Sequence, residues 1–180
     1  MRLSIPLFAA LVTAACAAPA LAGSLVGIDG VTSTVMQEGQ SSFSGLALRL
    51  RFHPEALIRN IEIMPTIEYW RNASSLSTFD IESSRKDATL GVDMRYVFYR
   101  DSWEPYFGAG YAMHFISSEV HAPTLGLNNA KDSFSKGGLA ALAGISIPLT
   151  TKVQNFFEVK YHHVTEHRQL KLNWGLAYNL

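Results

Sequence analysis

From Leu170 to Leu180 every second residue is large and apolar: Leu170, Leu172, Trp174, Leu176, Tyr178 and Leu180. The residues between them, Lys171, Asn173, Gly175, Ala177 and Asn179, are polar or small. A helix would spread the six large side chains around its circumference, whereas a β-strand collects them on one face. The same period of two recurs upstream. Leu46, Leu48, Leu50 and Phe52 share a face, as do Ile61, Ile63, Pro65, Ile67 and Tyr69. Leu90, Val92, Met94, Tyr96 and Phe98 form another such row, followed by Phe107, Ala109, Tyr111, Met113 and Phe115. Phe157, Val159, Tyr161 and His163 make one more, and residues 139–149 are apolar on one side and small on the other (Ala140, Gly144, Ser146). A first strand is expected near Leu25 to Met36, where the alternation is too irregular to assign faces. The pattern predicts about eight strands of roughly 10 to 13 residues, long enough to cross a bilayer at a tilt.

The connections fall into two alternating sets. His53 to Asn60, Asp101 to Glu104 and Leu149 to Lys152 are short and rich in turn-forming residues. Residues 72–86 and 119–134 are expected to be long polar loops, with 37–41 and 165–168 as the short members of their set. Tight turns at one end and longer loops at the other are what an up-and-down transmembrane barrel requires, and an even strand number returns both termini to the same side. The expectation is therefore an all-β fold, an eight-stranded antiparallel up-and-down transmembrane β-barrel.

A soluble barrel, such as a small lipocalin-like pocket protein, would give the same alternation, so the chemistry of the second face decides. A face meeting water should be richly charged. Here it is mostly Gly, Ala, Ser and Asn, with charges of both signs at Arg49, Arg51, Glu62, Glu68, Asp93, Arg95, Glu158, Lys160 and Lys171. Small residues and mixed charges suit the narrow interior of eight strands, and these nine residues are expected to form a polar network there. Cross-strand pairs of Arg49 or Arg51 with Glu62 or Glu68, and of Arg95 with Asp93, are expected, with His162 joining Glu158 and Lys160. The Leu, Ile, Val and aromatic face then meets lipid, with Tyr69, Phe98, Phe107, Phe115 and Tyr178 near the interfaces. A lumen so filled argues for a plug; a narrow channel is the competing reading.

The first 22 residues change the compartment. Arg2, the apolar run Leu3 to Ala15 and the site Ala20-Leu21-Ala22 have the layout of a cleavable signal peptide, leaving residues 23–180 as the barrel domain. Thr13-Ala14-Ala15-Cys16 is a looser, lipoprotein-type alternative and contains the only cysteine. Cleavage after Ala22 removes that thiol, and with it disulfides and thiolate ligands. It also removes Arg2, leaving 15 − 1 = 14 basic against 15 acidic residues, a charge of about −1. Nucleic acid is thereby excluded as a partner for want of a basic face.

The closing octapeptide Asn173-Trp174-Gly175-Leu176-Ala177-Tyr178-Asn179-Leu180 resembles the C-terminal signal of bacterial outer-membrane barrels, and Gly108-Ala109-Gly110-Tyr111 resembles the Gly-aromatic strands of the OmpA/OmpX-like group. That resemblance implies an outer-membrane location, a monomer surrounded by outer-membrane lipids and lipopolysaccharide, and recognition by the barrel-assembly machinery through Trp174, Leu176, Tyr178 and Leu180. The group usually ends in Phe or Trp, where this chain has Leu180. The lipid A 3-O-deacylases are also eight-stranded barrels with a late His-x-Ser pair, to which His163 and Thr165 are similar in spacing. Thr stands where that family has its Ser nucleophile, and the following Asn is missing, so a lipid A-modifying hydrolase stays an alternative with His163 and Thr165 as its catalytic candidates. His163, Glu166 and His167 also match H-x-x-E-H, but zinc binding needs both histidines one helical turn apart. On a strand, residues four apart are separated by about 13 Å. No metal and no cofactor is expected, and the role expected is structural or surface-interacting.

Overall fold

The computed structural model describes residues 24–37, 42–54, 60–76, 81–99, 102–122, 127–164 and 167–180. The segment expected to be a signal peptide, residues 1–22 with Cys16, lies outside them. Eight strands follow in chain order: β1 (Ser24–Gln37), β2 (Phe43–His53), β3 (Ile61–Leu76), β4 (Ile81–Val97), β5 (Glu104–Ala122), β6 (Leu127–Pro148), β7 (Val153–Val164) and β8 (His167–Asn179). Each pairs antiparallel with its sequence neighbours, and β1 also pairs with β8 from Gly27↔Asn179 to Gln37↔Gln169, which closes the barrel. No helix among the described residues is long and apolar enough to cross a membrane. Closure instead satisfies the wall's backbone groups without water, the condition a strand-built span must meet.

The alternation read from the sequence fixes the faces. Leu46, Leu48, Ile67, Val92, Met94, Phe107, Tyr111, Leu139, Phe157, Val159, Leu172, Trp174 and Leu176 all point outward and are exposed. A wall of this kind has no place in water, where large contiguous apolar surfaces are rare. Tyr96, Phe98 and Phe107 pack on the outer wall with ring centroids 4.9 to 6.0 Å apart, near the end where β1 starts and β8 finishes.

β1 was unreadable in the sequence for a physical reason. Its inward side takes Asp29, Val31, Ser33 and Val35, while Gly30, Thr32 and Thr34 face out, so neither side is uniformly apolar. The expected loops at 72–86 and 119–134 are corrected by the structure. β3 and β4 stay paired out to Leu76↔Ile81, and β5 and β6 out to Ala122↔Leu127, giving strands of up to 22 residues. Beyond the lipid-facing wall both faces of a strand meet water, so alternation disappears while backbone pairing continues.

The core of the molecule is its lumen. Phe156 packs with Val31 and Ala177, Trp70 with Phe43 and Val35, and Tyr106 with Val97 and Leu142. Inward glycines make room for these rings. A Cβ on Gly144 would lie 2.5 Å from the Tyr106 ring, and one on Gly175 would lie 2.6 Å from that of Phe156.

Candidate functional site in the barrel lumen

All nine charged residues read from the sequence as lumen-facing point into the lumen, and none is more than 5% exposed. Asp29 joins them. Nearest the start of β1 and the finish of β8, Arg51 Nε donates to Asp29 Oδ1 (2.6 Å) and Arg95 Nε to Glu62 Oε2 (2.7 Å), with Arg51 Nη1 3.9 Å from Glu62 Oε1. Arg51 Nη2 also donates to Asn179 Oδ1 (2.6 Å), tying this layer to the end of β8. The next layer spans the barrel. Arg49 Nη1 and Nη2 grip both oxygens of Glu158 at 3.0 and 2.6 Å, and Glu158 also accepts from Asn173 Nδ2 (2.7 Å) and the Tyr106 hydroxyl (3.3 Å). Lys160 Nζ reaches Asp93 Oδ2 (2.5 Å), and Lys171 Nζ sits 2.8 Å from both oxygens of Glu68. The guanidinium of Arg95 stacks over the Tyr106 ring at 4.4 Å.

The charges are distributed as a buried set must be. Five cations, Arg49, Arg51, Arg95, Lys160 and Lys171, face the carboxylates of Asp29, Glu62, Glu68, Asp93 and Glu158. An unpaired ion in such a place would cost several kcal/mol, whereas bidentate and multiply bonded pairs offset that desolvation. The expected partners need correction in three cases. Arg49 binds Glu158 on β7, Asp93 binds Lys160 on β7, and Glu68 binds Lys171 on β8, none of which lies on an adjacent strand. In a barrel this narrow, a long side chain meets the opposite wall as readily as its neighbour.

A further layer lies toward the hairpin end, and of its residues only His162 was singled out from the sequence. Asp87 Oδ2 is 2.8 Å from His114 Nδ1, Thr89 Oγ1 lies 3.0 Å from the same nitrogen, and His114 Nε2 is 3.3 Å from His162 Nδ1. His162 therefore joins His114, not Glu158 and Lys160 as expected. Asp87 borders a stretch taken for loop, and Asp29 sits on the strand without clear faces; only His114 and Tyr106 stood in readable rows, on the small-residue side.

His163 is exposed on the outer wall of β7, opposite Leu139 and Arg168 in register, and Thr165 and Glu166 lie outside the described residues. His163 and His167 belong to different strands, β7 and β8, and not to one helical turn. Among the described residues no group of three or more His, Cys, Asp or Glu is placed to hold a metal ion. The C-terminal residues Trp174, Leu176, Tyr178 and Leu180 line up on the outer wall.

No protein-family model matches the chain, and no curated protein matches it in sequence. Solved structures do match. The attachment invasion locus protein Ail of Yersinia pestis, in complex with the heparin analogue sucrose octasulfate, superposes with a TM-score of 0.62 at 15% identity, over 88% of this chain and 99% of that one. Neisserial surface protein A gives 0.62 at 18% identity, over 86% and 96%. The N-terminal β-barrel domain of Pseudomonas aeruginosa OprF gives 0.61 at 11% identity, over 88% and 99%. The geometry and these likenesses agree on one architecture: the chain has the fold of the small eight-stranded β-barrels of bacterial outer membranes.

Proposed function

We propose that the protein is an exported outer-membrane barrel with a structural or surface-interaction role. Its lumen is a plug, and its working surface is the pair of hairpins formed by residues 72–86 and 119–134. The observation that supports this most is the inversion of polarity across the wall: apolar and aromatic residues outside, paired charges inside. Only a surrounding of acyl chains makes that arrangement stable. In this reading the signal peptide is cut after Ala22, and the barrel-assembly machinery takes up the alternating C-terminal strand. Lipopolysaccharide and other outer-membrane lipids then surround a monomer.

Cell fractionation with gel electrophoresis tests it. The protein should partition with the outer membrane and change its migration on boiling, because a closed barrel resists detergent until heated. Recovery of a monodisperse folded protein in plain buffer would refute the reading. A hydrolase acting on lipid A at His163 and Thr165 would change the acyl pattern of lipid A between cells with and without the protein. The expectation is an unchanged pattern.

A further inference from the structure

The polar layer at the hairpin end is built differently from the ion pairs beneath it. The buried carboxylate of Asp87 accepts from Thr89 Oγ1 at Oδ1 (3.1 Å), and its Oδ2 lies 2.8 Å from His114 Nδ1. Across the bore His114 Nε2 stands 3.3 Å from His162 Nδ1, with the two rings inclined at 81°. Both rings are buried, and His162 Nε2 has no hydrogen-bond partner among the described residues. This chain of contacts joins walls that are not neighbours. On one side are β4 and β5, which run on past it as a tall hairpin; on the other is β7, which ends at Val164, two residues beyond His162. β6 parts from β7 at the pair Gly138↔Val164, and it carries Gly137 and Gly138 there, where backbone without side chains bends most readily.

The ring contact sets a limit on protons. A neutral imidazole has one N–H and one bare nitrogen, whereas an imidazolium donates from both. With His114 Nδ1–H donating to Asp87, a neutral His114 accepts at Nε2 from His162 Nδ1–H. A charged His114 instead donates from Nε2 to a bare His162 Nδ1, with Asp87 as its counter-charge. Either way the 3.3 Å contact holds a single proton. Two would set N–H against N–H with no acceptor between them. The surroundings oppose the second charge as well. Lys160 on β7, Lys171 on β8 and Arg49 on β2 all bear on His162, and Lys136 stands opposite His114 in the β5–β6 register. The carboxylates of those layers are already engaged, Glu68 by Lys171, Asp93 by Lys160 and Glu158 by Arg49. Arg85, two residues from Asp87 on β4, adds one more positive charge at the mouth.

We propose that Asp87, His114 and His162 form an acid-sensitive latch at the hairpin end of the lumen. It ties the base of the β4–β5 hairpin to β7 while a single proton occupies the contact between the rings. It releases when both rings become imidazolium, and the tall strands then bend outward at Gly137 and Gly138. The released rings bind at least one proton more than the latched pair, so opening is favoured as pH falls through the ordinary histidine range near 6.5. One extra proton raises the opening constant up to tenfold per pH unit below that value, about thirtyfold between pH 7.5 and pH 5.0. This rests on the surface-interaction reading above and supplies its regulation, since the exposed hairpins present one surface at neutral pH and another in acid.

The test uses the full-length barrel in detergent micelles and hydrogen exchange read by mass spectrometry at pH 7.5 and pH 5.0, each rate divided by the chemical rate at that pH. Fragments covering 83–89 and 112–118 should lose about thirtyfold in protection at pH 5.0, while those covering 91–97 and 104–110 keep theirs. His162→Gln retains an amide N–H for His114 Nε2 but takes up no proton, so its protection at the two pH values should agree within about twofold. His53→Gln, at the opposite end of the barrel, should respond as the parent does. Nitrogen-15 NMR of labelled histidines in the parent should show both rings becoming imidazolium at the midpoint of the loss of protection, a readout that needs no variant to fold. Unchanged protection at pH 5.0, no protection at pH 7.5, an equal loss in His162→Gln, or both rings charging with protection intact would each overturn the proposal. Fractionation and the gel shift on boiling are read at neutral pH, so failure of the latch and failure of the outer-membrane, surface-interaction reading can be told apart.

Discussion

Arg49 and Glu158 offer the sharpest perturbation of the lumen. They face each other across the barrel with two hydrogen bonds at 2.6 and 3.0 Å, and their side chains are 2% and 0% exposed. Replacing Arg49 by Met removes the cation and leaves a buried carboxylate with only Asn173 and Tyr106 to serve it. Replacing Glu158 by Met leaves a guanidinium over the Phe156 ring, 5.6 Å from its centroid. Breaking a buried pair from one side costs about 3–5 kcal/mol, while replacing both members with apolar groups of similar volume is near neutral. Each single variant should therefore lose about 3–5 kcal/mol in urea unfolding from lipid vesicles, followed by Trp fluorescence. The double variant should return to within about 1–2 kcal/mol of the parent, a large departure from additivity. If the double variant's loss equals the sum of the two singles, or each single loses under about 1 kcal/mol, the pair is not the buried, coupled unit described.

Three further outcomes follow from the same geometry. Ile67→Arg places a charge on the lipid-facing wall and should cost about 2–4 kcal/mol in vesicles if that residue lies near the bilayer midplane, against little change in a soluble barrel; a neutral result in vesicles refutes the outward assignment. Gly144→Val should displace the Tyr106 ring and weaken the fold by about 1–3 kcal/mol, the usual cost of overpacking, while Gly144→Val combined with Tyr106→Ala should recover part of that loss in the same unfolding assay. Planar-bilayer recordings of the parent should show no discrete conductance steps, since paired side chains fill the lumen; regular steps would establish a pore.

Strand number, antiparallel order and the inside–outside sense of β2 to β8 were legible because each of those strands buries one face and presents the other to lipid, and such asymmetry writes itself as a period of two. β1 was not legible because it turns Val31 and Val35 inward and Thr32 and Thr34 outward. The tops of β3 to β6 were not legible because a strand wetted on both sides leaves no periodic signal. At the candidate site, nine of the lumen-facing charges could be read from the sequence, but their partners could not. Arg49 meets Glu158 and Lys171 meets Glu68 across the bore, contacts between residues 109 and 103 positions apart that depend on barrel diameter and strand stagger. The link between His114 and His162 has the same origin, since β5 and β7 are not neighbours.

Those transverse pairs have a bearing on how the chain reaches its folded state. Glu68 must wait for Lys171, and Arg49 for Glu158, while ribosome and translocation deliver the polypeptide from its N-terminus. Until the β1–β8 seam zips, Arg49, Lys160 and Lys171 and the carboxylates of Glu158, Asp93 and Glu68 have no counterparts and must remain hydrated. An open, half-built sheet therefore cannot sink fully into hydrocarbon, and sealing of the seam and dehydration of the bore become a single late event. A strand that slipped by one residue would swing its ions toward the acyl chains, so the same charges that fill the finished bore reject misregistered intermediates before they commit.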